Sequence, residues 1–277
     1  MGKDTVRIAF YGKGGIGKST IAANVSAVLA ASGRRVLHIG CDPKSDSTRC
    51  LMKRRIPTVL DQLNQLDRPL VREDIVWEGI YGVNCIEAGG PQAGSGCAGM
   101  GITTMDAELK RLGIPEENWD VILYDVLGDV VCGGFAMPMR RHYVEKIFVI
   151  TSSDYLSIYA ANNILKGIRS YSRGRKGMFG GLILNHARSS TDGRILEEYS
   201  GKTGAGILFQ VPESEEIRRA DFQKCVVQEV YEDGTAAKEF QALAEKILNG
   251  SFEEIPHPLD EDAMDRFGES VMQYLAF

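Results

Sequence analysis

The sequence predicts a single α/β domain, with a mostly parallel, doubly wound sheet flanked by helices. Three observations predict it. Short apolar runs alternate with helical stripes from residue 6 to residue 248, the pattern of successive βα units. The first apolar run, Val6 to Tyr11, passes into Gly12-Lys13-Gly14-Gly15-Ile16-Gly17-Lys18-Ser19 and then into the stripe Ile21, Val25, Val28 and Leu29. A further run, Asp120-Val121-Ile122-Leu123-Tyr124-Asp125, ends in an aspartate, as a strand reaching the ligand edge of such a sheet does.

The stretch from Gly12 to Ser19 fits G-x-x-x-x-G-K-[ST] in its strand–loop–helix setting, so the domain is read as a P-loop NTPase. Glycine lets backbone N–H groups turn toward phosphate oxygens at the positive end of the helix that follows. The whole stretch, Gly12, Lys13, Gly14, Gly15, Ile16, Gly17, Lys18, Ser19 and Thr20, is the expected nucleotide cradle. Lys18 would reach the β- and γ-phosphates, and the Ser19 hydroxyl would hold Mg²⁺. Lys13 is an extra lysine beside the first glycine. K-G-G-x-G-K-[ST] resembles the deviant Walker A group, whose members dimerise around two nucleotides and reach the partner's ATP with that lysine.

The chain has 277 residues, 44% of them hydrophobic, and a formal charge of −5. That is enough for one large core and gives no sign of a nucleic-acid surface. No apolar run has the length of a membrane span, and the start of the chain leaves no room for a signal peptide. A cytoplasmic protein is expected. Its six cysteines, at 41, 50, 85, 97, 132 and 225, form no C-x-x-C pair, so one chain shows no local zinc or ferredoxin signature.

In order along the chain, Arg35 to Gly40 reads as the second strand. It ends in Cys41-Asp42-Pro43-Lys44-Ser45-Asp46-Ser47, where Asp42 and Asp46 suit a Mg²⁺ shell and Lys44 a γ-phosphate sensor. Cys41 is read as a small buried hydrophobe. Pro57 to Leu66 suggests a short helix, and Arg68 to Trp77 a charged connection. Asn84 to Ala88 is a strand running into thirteen residues, 89 to 101, that contain six glycines around Cys97. Glycines free backbone N–H groups for a bulky neighbour such as an iron–sulfur cluster; a flexible loop with a free thiol is the alternative. A helix over Thr103 to Leu112 follows.

The strand ending at Asp125 matches the Walker B position, where a carboxylate orients Mg²⁺ directly or through water. Asp129 is placed to act on the attacking water, and Cys132 follows seven residues beyond Asp125. A segment that responds to the γ-phosphate thus also carries a thiol. Strands at Lys146–Thr151, Gly181–Asn185 and Gly206–Val211 alternate with helices at Tyr155–Tyr171, near Asp192–Ser200, and at Thr235–Leu248. Asn185 and the turn Val211-Pro212-Glu213 fall at strand ends and suit an adenine pocket. Residues 1–250 are expected to form the ATPase and iron–sulfur domain. Residues 251–277 are expected to be an acidic tail whose Met264, Phe267, Val271, Met272 and Leu275 pack on the body or on a partner subunit.

Taken together, these strings resemble the nitrogenase iron protein family over nearly the whole chain. The resemblance is carried by residues 11–20, Gly40-Cys41-Asp42-Pro43-Lys44, Glu87-Ala88-Gly89-Gly90-Pro91, Gly96-Cys97-Ala98-Gly99, residues 124–138, and Tyr159-Ala160-Ala161-Asn162-Asn163-Ile164. It implies a homodimer bridging one [4Fe-4S] cluster, with Cys97 and Cys132 of each chain as ligands. It also implies MgATP-driven docking on a nitrogenase-like heteromeric catalytic component, and ferredoxin or flavodoxin as electron donor, with no nucleic acid and no membrane involved. Lys13 and Lys18 would stabilise the transferring phosphoryl group, Asp129 would act on the water, and Asp42, Lys44 and Asp46 would form the first switch. One departure stands out. The family usually has arginine after Cys-Ala-Gly, on the docking face, and this chain has Met100. Methionine offers an adaptable apolar contact and no hydrogen-bond donors, which favours a nitrogenase-like reductase over a true nitrogenase. The candidates are a methylthio-alkane reductase, which is preferred, and the tetrapyrrole reductases of coenzyme F430 or chlorophyll synthesis, of which the long match to the nitrogenase type disfavours the chlorophyll branch. A positioning or partitioning ATPase is the reading from another class; it leaves Cys97 and Cys132 without a role. Cys50, Cys85 and Cys225 are expected to be buried.

Overall fold

The computed structural model describes residues 5–90, 99–128, 136–140, 143–172, 177–250 and 255–275. Its strands are β1 (Val6–Tyr11), β2 (Val36–Gly40), β3 (Trp77–Glu78), β4 (Asn84–Glu87), β5 (Val121–Asp125), β6 (Lys146–Thr151), β7 (Phe179–Ala187) and β8 (Ile207–Pro212). They form one sheet in the order β3-β4-β2-β5-β1-β6-β7-β8. All neighbours are parallel except the short edge pair β3–β4.

Burial on both faces explains why these strands are near-continuous apolar runs rather than alternating ones. In β1, Ala9 and Tyr11 belong to one core and Ile8 and Phe10 to the other, as a period of two requires. The helices of seven or more residues among the described residues are α1 (Lys18–Ala31), α2 (Val59–Gln65), α3 (Gly99–Arg111), α4 (Tyr155–Ser172), α5 (Ser190–Thr203), α6 (Glu215–Phe222), α7 (Thr235–Asn249) and α8 (Glu261–Leu275). Helices α1 and α7 cover one face of the sheet, while α3, α4, α5 and α8 cover the other.

β1 lies between β5 and β6, and the chain leaves β1 toward one side and β5 toward the other. The carboxyl ends of β1 and β5 therefore border a topological switch point, where open α/β sheets bind ligands.

Two stretches differ from the sequence reading. The charged connection contains a helical turn, Arg72–Ile75, and the edge strand β3. Asp74 accepts both Arg68 guanidinium nitrogens, at 2.7 and 2.8 Å, and the Val71 N–H at 2.8 Å. Those charges build the turn instead of floating in solvent. Helix α6 was not legible because Glu-Glu-Ile-Arg-Arg-Ala-Asp-Phe offers only Ile217 and Ala220 as an inward stripe; Ser214 caps it, accepting from Glu216 N–H at 3.2 Å.

The C-terminal helix α8 seats Met264, Phe267 and Val271 in the core beside α5, with Phe267 edge-on to Tyr199 at 5.7 Å. Asn162 on α4 grips the segment before it, donating to Leu259 O at 2.9 Å and accepting from Leu259 N–H at 2.8 Å. Met272 and Leu275, read as part of the same apolar stripe, are exposed on the single chain.

Candidate functional site

The phosphate loop is built by close backbone approaches. Gly17 heads α1 with φ 86°, a left-handed conformation that glycine adopts without steric cost. A Cβ on Gly12 would stand 2.4 Å from Ile150 O, and one on Gly128 would stand 1.8 Å from Gly12 O. The loop is thus wedged between the end of β6 and the segment that follows β5. Asn185 adds a strut, its amide nitrogen donating to Ile16 O at 2.7 Å.

Lys18 and Asp125 come together at the centre. Lys18 Nζ lies 2.7 Å from Asp125 Oδ1, and both side chains are buried. Burial alone would discharge each, but their mutual attraction outweighs it: the Lys18 pKa is raised and that of Asp125 is lowered, the latter also by hydrogen bonds from Ser19 and Ser47. A phosphate in the loop would compete with Asp125 for Lys18.

Ser19, Thr20, Asp46 and Ser47 share one cavity wall with Asp221. Asp42 is buried; its Oδ1 accepts from Lys44 N–H at 2.9 Å, which bends the chain so that Lys44 and Asp46 point outward. A second cavity, of about 410 Å³, adjoins at Thr20 and Asp221 and is lined by Gly17, Asn185, Pro212, Glu213, Ile217 and Phe240, among others. Apolar walls with a few polar groups are what a purine ring needs. Val211 stands apart from that cavity, being buried in the core behind it; Pro212 to Glu215 form the wall instead. Asp129, Cys97 and Cys132 lie outside the described residues.

The sequence reading missed a buried polar layer beneath the loop. Ser47 Oγ donates to Asp125 Oδ2 at 2.5 Å and stands 2.8 Å from His38 Nε2. The next residue, Thr48, donates to Glu87 Oε1 from both its N–H and its hydroxyl, each at 2.8 Å. Glu87 is fully buried and its Oε2 has no hydrogen-bond partner. Burial pushes its pKa up to about 8, against the two Thr48 bonds, with Asp125 and Asp46 adding repulsion. The available signal was a polar residue inside an apolar strand: His38 in Val-Leu-His-Ile-Gly and Glu87 in Asn-Cys-Ile-Glu.

The other cysteines are accounted for. Cys41 and Cys85 are buried and Cys50 and Cys225 partly so, all as free thiols. Burial raises the Cys41 and Cys85 pKa values, and that of Cys50 to about 12. Such thiols stay protonated and inert. Among the described residues no group of three or more His, Cys, Asp or Glu could hold a metal ion, and no helix is long and apolar enough to cross a membrane.

Residues 6–273 match the family model described as 4Fe-4S iron sulfur cluster binding proteins, NifH/frxC family. The chain belongs to this family. It is 43% identical over 261 residues to nitrogenase iron protein 2 of Methanothermobacter thermautotrophicus, covering 94% of this chain and 96% of that one. It is likewise 43% identical over 267 residues to the nitrogenase iron protein of Methanococcus voltae, covering 96% of both. In fold it is similar to the MinD cell division protein of Aquifex aeolicus, with TM-score 0.66, 20% identity, and 90% and 99% of the two chains covered. It is also similar to a ParA family ATPase from Chlorobium tepidum, with TM-score 0.68, 20% identity, and 87% and 99% covered. The family binds a [4Fe-4S] cluster and MgATP, and this member is an ATP-dependent electron-transfer oxidoreductase component. The loop, its Lys18–Asp125 pair and the adjoining purine-sized cavity fit MgATP.

Proposed function

We propose that this chain is the reductase half of a two-component system, a homodimer that hydrolyses MgATP and passes electrons singly to a nitrogenase-like catalytic partner. The observation that carries this reading is the family match over residues 6–273, on a fold whose Lys18 and Asp125 already meet at 2.7 Å. In this reading Cys97 and Cys132 of each subunit hold one shared [4Fe-4S] cluster, Lys13 and Lys18 stabilise the transferring phosphoryl group, and Asp129 acts on the water. Ser19, Asp42, Asp46 and Asp125 serve Mg²⁺. Lys44 senses the γ-phosphate, Asn185, Pro212 and Glu213 border the adenine, and ferredoxin or flavodoxin supplies the electrons.

The partner we favour is a methylthio-alkane reductase. Met100 is 53% exposed, on the first turn of α3, and gives an apolar contact where arginine would seek a carboxylate. The partner's reaction would be cleavage of a thioether by two electrons and two protons to an alkane and a thiol. The likeness to MinD and ParA proteins is one of fold, and a positioning ATPase would use neither Cys97 nor Cys132.

The test is anaerobic purification with iron, sulfide and EPR analysis of wild type, Cys97→Ser and Cys132→Ser. About four irons per dimer, lost in either variant, with an EPR signal that moves on adding MgATP, is the expected result. An iron-free dimer that hydrolyses ATP would refute it. Reconstitution with the co-purifying partner then decides among thioether, dinitrogen and tetrapyrrole reduction; ammonia from dinitrogen would overturn the carbon–sulfur assignment.

A further inference from the structure

His38 sits in the middle of β2 and is fully buried. Both of its ring nitrogens are engaged: Nδ1 lies 2.9 Å from Ser26 Oγ on α1, and Nε2 lies 2.8 Å from Ser47 Oγ. Ser47 Oγ lies 2.5 Å from Asp125 Oδ2, and the other carboxylate oxygen, Oδ1, meets Lys18 Nζ at 2.7 Å. A continuous buried chain thus runs Ser26–His38–Ser47–Asp125–Lys18.

The proton positions along it follow from donor and acceptor capacity. Asp125 is ionised beside Lys18 and can only accept. The 2.5 Å contact therefore carries the Ser47 hydrogen. With that hydrogen spent, Ser47 Oγ can only accept from the imidazole, so His38 Nε2 carries a proton. The ring is neutral, because burial lowers the His38 pKa to about 4, with Lys18 also lowering it and Asp125 opposing. Nδ1 is then an acceptor, and Ser26 donates to it. With the ring neutral, this is the arrangement that satisfies both ring nitrogens and the Ser47 hydroxyl.

We propose that His38 is a positioning residue for ATP hydrolysis: its Nε2–H fixes the Ser47 hydroxyl as a donor to Asp125 Oδ2, and so holds the Asp125 carboxylate in place while Oδ1 serves either Lys18 or the cation of the bound nucleotide. The inference rests on the ATP-hydrolysing reading of the site. Without the imidazole, Ser47 keeps a hydroxyl that can turn toward any acceptor. Asp125 then loses a fixed partner at the moment Lys18 is drawn to phosphate. A preorganised second partner is what such a carboxylate needs, since its orientation sets the geometry of the ligands it holds.

Two measurements test this. The chain contains four histidines, so the imidazole ¹⁵N signals of labelled protein can be assigned to His38 by their loss in His38→Gln. A neutral Nε2–H tautomer, unchanged from pH 5 to pH 8, is expected; an Nδ1–H tautomer, or titration near 6.5, overturns the proposal. The second measurement is steady-state MgATP hydrolysis by the dimer. His38→Leu should lower kcat about five- to tenfold, the range of one lost hydrogen bond between neutral groups, with little change in the KM for ATP. His38→Gln, whose amide can donate from a similar reach, should recover most of the loss. In a Ser47→Ala background, His38→Leu should cost nothing further, since the two act as one unit. Losses that multiply in the double variant, or a glutamine no better than leucine at equal melting temperature, overturn it. A wild-type dimer without MgATP hydrolysis would instead bring down the reading of the site itself, and the proposal with it.

Discussion

Replacing Glu87 by glutamine should make the protein less sensitive to alkaline pH. Glu87 is fully buried at the end of β4, and its pKa is raised from 4.5 to about 8, chiefly by burial. A folded-state pKa above the unfolded value means that the native protein binds the extra proton between these limits. Stability from this group is therefore complete below pH 4.5 and is lost as pH rises through 8. His38 works the other way, its pKa being lowered from 6.5 to about 4, so its contribution is lost as pH falls below 6.5 and is constant above it. The window from pH 6.5 to 8.5 isolates Glu87. The one and a half pH units between 6.5 and the folded pKa of about 8, at about 1.36 kcal/mol each, give about 2 kcal/mol. Glutamine presents the same shape as the protonated acid, can still accept from Thr48, and has no proton to lose. The stability gap between Glu87→Gln and wild type should widen in favour of the variant by about 2 kcal/mol across that window, or roughly 5 °C in melting temperature for a chain of this size. Anaerobic thermal unfolding at four or five pH values measures it. A gap that stays constant from pH 6.5 to 8.5 would show that Glu87 is ionised in the fold and that the reasoning is wrong.

Other perturbations have equally definite outcomes. Lys18→Met should abolish MgATP hydrolysis and lower stability by about 3–5 kcal/mol, because it leaves Asp125 buried without its cation; adding Asp125→Leu should recover most of the stability and none of the activity, as followed by urea unfolding and phosphate release. Gly128→Ala places a methyl group 1.8 Å from Gly12 O, so hydrolysis should fall at least about tenfold while overpacking costs about 1–3 kcal/mol; a variant with normal turnover would show that the two segments are not in contact. Asn162→Ala removes both bonds to Leu259 and the acceptor of the Tyr199 hydroxyl, which should cost about 1–3 kcal/mol and speed limited proteolysis between residues 250 and 261.

The strands were legible because each is buried on both faces and so writes an unbroken apolar run; Val6–Tyr11 and Lys146–Thr151 have the same bounds in sequence and in structure. The phosphate loop was legible because its chemistry demands glycines at fixed spacing. What escaped was of another kind. Helix α3 begins at Gly99, ahead of the stripe that announced it at Thr103, because Gly101 is held against Gly89 O, where a Cβ would stand at 2.3 Å. Such close packing overrides the poor helix propensity of Gly-Met-Gly. Val211 reads as a strand end near the purine, yet pleating turns its side chain into the core and leaves the next residues to line the cavity. Periodicity reports which residues are buried. It does not report which buried polar residues find one another across 39 or 78 positions, as Thr48 and Glu87, and Ser47 and Asp125, do.

Those two pairs bear on how nucleotide can move this protein. Ser47 and Thr48 are adjacent, and each ties the segment that carries Asp42, Lys44 and Asp46 to a different buried carboxyl group, at the ends of β5 and β4. Each tie is a buried hydrogen bond, stronger at the ionised Asp125 than at the protonated Glu87, and a buried carboxyl group left unmatched costs about 1–3 kcal/mol or more. Displacing the segment at Ser47 and Thr48 would break both ties together. A nucleotide shifts it only by binding one arrangement better than the other. Under the proposed function, competition for Lys18 would supply that difference, since a phosphate drawing the lysine from Asp125 Oδ1 would leave the carboxylate to the hydroxyls of Ser19 and Ser47. Arrival of phosphate would be felt first at Asp125, whose partner Ser47 is joined to Thr48, and so to Glu87, by a single peptide bond.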